Sequence, residues 1–187
     1  MTEGKGNEET QKATAESTVA SVEDTVKLLT TPITKALHNA LYELDEASRA
    51  IVLGKAGRAC AKAVREYRER QGLEYPRGVD LDTACEFLER AAHLDERIKR
   101  EYTCKKDGDW VEIRDSICEL LGSCSCILVL AGLVDSNATL CSLCQEGHWT
   151  EHFEYMTGQR PDKFEFPESH CMGHRCCVAR LHFKAAK

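Results

Sequence analysis

The chain has 187 residues, with 25 basic against 31 acidic side chains and a formal net charge of −6. That length suits one core with a helical appendage, and most of the acidity falls in residues 1–24, which carry six acids and two lysines. A nucleic-acid binder would show a basic bias, and a bilayer-crossing helix needs about 20 apolar residues, far more than the longest apolar run at 126–134, so neither nucleic acid nor membrane is expected as a partner.

Residues 1–20 hold few apolar side chains and are expected to be disordered. They also lack the apolar core of a secretory signal. The eleven cysteines are therefore expected in a reducing cytoplasm, where they point to metal or thiol chemistry. Ser21 with Asp24 predicts a helix start. Thr31-Pro32 predicts a second, followed by Ile33, Leu37, Leu41 and Leu44 at helical spacing. Asp45 caps a longer helix bearing Ile51, Val52, Ala59, Cys60, Ala63 and Val64, and Gly72 ends it. Its basic side chains, Arg49, Lys55, Arg58, Lys62, Arg65, Arg68 and Arg70, read as a solvated face, with a docking surface for an acidic partner as the alternative. Gly54 and Gly57 mark a break or a close helix contact. Asp80 opens a short helix whose Leu81, Ala84, Cys85, Leu88, Ala91 and Ala92 form one stripe. Residues 21–96 thus read as a helical region of three or four helices.

The pattern changes over 97–187. Apolar segments Ile98 to Cys104 and Trp110 to Ile113 flank a Lys-Lys-Asp-Gly-Asp turn, which predicts a hairpin. Residues 126–134 suit a buried strand or a short core helix. A helix opens at Asp135-Ser-Asn-Ala and closes at Gly158; Phe164 and Phe166 then alternate into a strand, and Cys177 to Phe183 return after a turn at 172–175. The expected fold class is α+β, with antiparallel hairpins packed on a helix.

The chemistry gathers at the end of the chain. Five cysteines and four histidines fall within residues 141–177. Cys141, Cys144, His148 and His152 share one helical face, which suits core packing or ligation. The closing hairpin carries Glu168, His170 and Cys171 on one arm and Cys176-Cys177 on the other, and only one of the adjacent pair can face a site on a regular strand. A helix thiolate, Glu168 and two hairpin cysteines would make a tetrahedral zinc shell. Cys118, Cys124 and Cys126 with Cys141 and Cys144 offer the thiolates of an iron–sulfur cluster instead. Cys60 and Cys85 read as core, and Cys104 as either.

The run Cys144, Phe153-Glu-Tyr-Met-Thr-Gly158-Gln-Arg-Pro161, Phe164, Phe166, Glu168-x-x-Cys171 and Gly173-x-x-x-Cys177 resembles the 4-vinyl-reductase domain. The resemblance implies a structural zinc held by Cys144 (or Cys141), Glu168, Cys171 and Cys177, with His148 and Cys176 as alternates. It also implies a pocket for an apolar or tetrapyrrole-like molecule, lined by Leu128, Leu130, Trp149, Phe153 and Met156. The L-2-amino-thiazoline-4-carboxylic acid hydrolase-like family is a related possibility.

Three functions compete. The first is a zinc-stabilised small-molecule-binding or sensing protein, acting on a partner or forming a homodimer through its helical half. The second is a hydrolase using metal-activated water or a Cys144–His148 pair. The third is an iron–sulfur or redox protein. A four-ligand metal shell leaves no open position for substrate, which favours the binding module.

Overall fold

A computed structural model of the chain describes residues 31–94, 99–122 and 125–184. The stretch 1–20, the helix start at Ser21 and the cluster candidate Cys124 lie outside the described residues. Two units divide between Glu43 and Leu44. In the first, residues 31–43 form helix α1.

The second unit begins where Asp45, in extended conformation, accepts the Ser48 amide at 2.9 Å and starts α2, Glu46–Arg70. Asp80 accepts the Thr83 amide at 2.8 Å and starts α3, Leu81–Ala92. Each aspartate satisfies a first-turn N–H that has no partner inside the helix. The hairpin follows as β1, Tyr102–Asp107, and β2, Trp110–Asp115, turning at Gly108 with φ +59°. Two short helices come next, α4, Ile117–Leu121, and α5, Ile127–Leu130. The apolar run therefore starts as one turn of helix, not a strand. Asn137 caps α6, Ala138–Thr157, and Gly158 ends it at φ +72°. The chain then forms β3, Lys163–Glu168, a 3-10 turn at His170–Met172, and β4, Cys177–His182.

The fold is α+β. Among the described residues one sheet forms, in the order β1-β2-β4-β3 with every neighbour antiparallel. Tyr102, Cys104, Val111, Ile113, Ala179 and Leu181 are buried on its inner face, in one core with Leu88 of α3 and with Phe153 and Met156 of α6. The helical region expected at 21–96 is thus divided: α1 lies in the first unit, whereas α2 and α3 belong with 97–187 to the second.

Two glycines explain how α2 reaches the rest. A methyl group built on Gly57 would run into the Cys144 carbonyl, and one on Gly147 into the Gly54 carbonyl. The helices therefore touch backbone to backbone, and the contact expected at Gly54 and Gly57 is a crossing without a break. Next to it, Arg58 reaches Glu154 at 2.8 Å and Glu151 at 3.2 Å. Arg65 is buried over the Tyr155 ring, 3.7 Å from its centroid. This corrects the expectation of a solvated basic face: Arg58 and Arg65 point toward α6, where the crossing brings Glu151 and Glu154 against them, and Arg68 turns to the Tyr75 hydroxyl.

Gly57→Ala should destabilise the protein by about 1–3 kcal/mol, the usual cost of overpacking. Gly54→Ala should be neutral or stabilising by up to about 1 kcal/mol, since its methyl would meet nothing within 4 Å and alanine is the better helix former. Urea unfolding of the two variants beside the parent protein checks the contrast.

Candidate functional site

Between α2, α6 and the sheet lies a cavity of about 590 Å³. The inner face of the sheet supplies Tyr102, Ile113, Asp115, Cys177 and Ala179. One side of α2 supplies Cys60, Ala63, Val64, Tyr67 and Arg68. The α6 stripe supplies Cys141, Cys144, Gln145, His148, Trp149 and His152, and the α4–α5 segment adds Cys118, Ser125 and Cys126. The two long helices run in the same sense, since Gly57 meets Cys144 while Arg65, two turns on, meets Glu151 and Tyr155. Chemistry therefore changes along the cavity. Sulfur dominates at the level of Cys60 and Cys144, and nitrogen at the level of Arg68 and His152.

At the sulfur end the thiols pair. Cys144 donates to Cys126, and this bond, more than any other cause, lowers the Cys126 thiol to about 6. The amides of Val129 and Leu128 add to the effect, against the upward push of burial. The same bond, with burial, raises Cys144. Cys177 lies 3.9 Å from the Cys118 sulfur, which in turn sits 3.2 Å from the Ser125 hydroxyl. Cys177 is raised by its bond to Cys118 and by burial.

At the nitrogen end burial lowers His148 to about 4 and His152 further, with Arg68 adding to both. Both imidazoles are neutral at pH 7. His152 is 2 % exposed, stacks on Tyr75 at 5.8 Å, and its Nδ1 has no hydrogen-bond partner among the described residues. Arg100 and Asp115 form an ion pair at 3.2 Å, and burial nevertheless raises the Asp115 carboxyl.

The residues expected to bind metal are not brought to one point. Cys144 is paired with Cys126, Cys177 with Cys118, and Cys171 lies 3.2 Å from the Ser136 hydroxyl. Glu168 faces Arg114 at 3.5 Å and His174 at 4.0 Å. Cys176 is buried and interacts with Arg114, so Cys177 alone of the adjacent pair reaches the cavity. Among the described residues no three histidine, cysteine or acidic side chains form a metal-holding group. The set Cys144, Glu168, Cys171 and Cys177 therefore does not fit a zinc ion as arranged. Of the iron–sulfur set, Cys124 lies outside the described residues, Cys118 sits beside Cys177, and Cys126 sits beside Cys144.

The expected pocket is corrected as well. Trp149 lines the cavity, but Phe153 and Met156, one and two turns further along the same α6 face, are buried in the sheet-facing core, Phe153 against Phe183. Leu128 packs against Cys126, Cys141 and Cys144, and Leu130, at the end of the one-turn α5, is 58 % exposed. The Cys144–His148 nucleophile pair is not assembled either. His148 is too weak a base, and the Cys144 proton is engaged by Cys126.

Several wall residues carried no sequence signal as a group. Arg68 follows Cys60 by eight residues on one side of α2, a spacing visible in the sequence but hidden among seven basic residues on the same helix. Arg100, Tyr102 and Asp115 meet only through strand pairing, with Tyr102 opposite Asp115. Comparison with known proteins returns no matching family model and no matching curated sequence.

Two outcomes follow from these protonation states. The unfolded chain protonates His148 near 6.5, whereas the folded protein does so only near 4, so stability should fall as pH drops through that window. The loss from this residue should be at most about 1.4 kcal/mol per pH unit. His148→Leu should remove that share in urea unfolding between pH 7.5 and 4.5; the comparison matters because Asp115 works in the opposite sense. Iodoacetamide should alkylate one thiol with a midpoint near pH 6, lost in Cys126→Ser and moved upward in Cys144→Ala. Peptide mapping by mass spectrometry reads out both.

Proposed function

We propose that this protein binds a small apolar molecule in the cavity between α2, α6 and the sheet. The observation that carries the reading is the cavity itself. Its 590 Å³ is in the range that holds a drug-sized ligand, and its wall is mostly apolar with a few polar groups. The reading keeps the small-molecule site implied by the vinyl-reductase resemblance and moves it toward α2. An output through the helical half would use α2, where Ile51 and Val52 stay exposed.

A thiophilic metal such as zinc is the second reading, favoured by the Cys118–Cys177 sulfur pair at 3.9 Å. A tetrahedral shell needs two further donors; Cys141 already lines the cavity, and Cys171 would have to turn inward. Elemental analysis of protein purified without chelator separates it from the first reading. One zinc per chain, lost in Cys118→Ser, supports the metal.

Titration with decanol in a Trp110→Phe background should quench Trp149 fluorescence saturably at one site per chain. Ala63→Phe, which fills the cavity from α2 without adding a second fluorescent reporter, should weaken that binding at least about tenfold. Quenching that never saturates, or that Ala63→Phe leaves unchanged, would remove the basis for the function.

A further inference from the structure

The ends of the cavity differ, and the difference selects a ligand. Along α2, Cys60 and Arg68 are eight residues apart, about 12 Å at 1.5 Å per residue. Cys60, Cys126 and Cys144 give one end a soft, weakly polar wall. At the other end Arg68, in the cavity wall, hydrogen-bonds the Tyr75 hydroxyl at 3.0 Å. Among the described residues it has no carboxylate partner, whereas Arg58, Arg65 and Arg100 each have one. The other charged groups of the wall, Arg100 and Asp115, are already matched to each other. The charge of Arg68 is felt by His148, His152, Tyr102 and Asp115, so it sits at the centre of the polar end.

Resting on the proposed ligand-binding function, we infer that the ligand is an elongated apolar carboxylate, its anionic head on Arg68 and its body running toward the thiols. A guanidinium forks onto a carboxylate through two parallel N–H bonds, and low surrounding polarity strengthens the pair. Two uncharged imidazoles beside it can donate to the head without adding charge. Trp149, Ile113 and Ala179 supply apolar surface for the body.

The test compares decanoate with decanol, equal in length and different in charge, by titration calorimetry on the full chain at pH 8. Decanoate should bind roughly ten- to hundredfold more tightly, the range expected for charge-assisted hydrogen bonds. Arg68→Gln should abolish that preference while leaving decanol affinity unchanged, and Arg68→Lys should retain part of it. Equal binding of the two by the parent protein, or a preference that survives in Arg68→Gln, overturns the carboxylate assignment and leaves the cavity function standing. Binding of neither compound overturns both. Circular dichroism of each variant confirms that the comparison is made on folded protein.

Discussion

The close crossing of α2 and α6 is the contact on which the second unit depends. Two helices carrying ordinary side chains pack with axes about 8–10 Å apart. Here Gly57 and Gly147 leave out the atoms that would stand against the carbonyls of Cys144 and Gly54, so the backbones touch. That contact fixes the rotation of both helices. It turns Cys60 and Arg68 of α2, and the stripe from Cys141 to His152 of α6, toward the same space. A shift of either helix would also separate Arg58 and Arg65 from Glu151 and Glu154, so ion pairs on one flank hold the register that the glycines permit.

The interior created in this way is mostly apolar, and its few polar groups are largely uncharged by circumstance. Burial holds both histidines neutral and keeps Tyr102 protonated well above the usual range. Arg100 and Asp115 cancel each other. Desolvation of unpaired charge is costly, and the wall avoids it by using thiols, imidazoles and a matched pair. Against that background the sulfur of Cys126 and the guanidinium of Arg68 stand out, the first held by hydrogen bonds and the second without a counter-ion among the described residues. The contrast between a soft end and a cationic end follows from the order of residues along two parallel helices.

Local features were legible in the sequence because local chemistry decides them. Asp45 and Asp80 cap where their side chains can reach an amide three residues on. Gly108 and Gly158 adopt the positive φ that a tight turn and a helix end require. The shared face of Cys141, Cys144, His148 and His152 follows from helical periodicity, and all four line one cavity. Long-range placement was less legible. Basic residues surround so much of α2 that composition could not tell Arg65, buried against Tyr155, from Lys55, which is exposed. Glu168 sits in a motif that suggests ligation, yet its neighbour across the sheet is Arg114. The 3-10 turn at 170–172 carries Cys171 toward Ser136, where a tight hairpin would have set it across from Cys176 or Cys177.

The strand order has a temporal meaning. Of the described strands, β4 is last in sequence but lies between β2 and β3 in the sheet. As a ribosome releases the chain, the β1–β2 hairpin can close early, while the open edge of β2 must wait for a partner about sixty residues downstream. An unpaired edge invites other chains to add to it. The nascent protein thus passes through an interval in which aggregation competes with completion, and chaperone occupancy of that edge would matter most just before the final strand emerges.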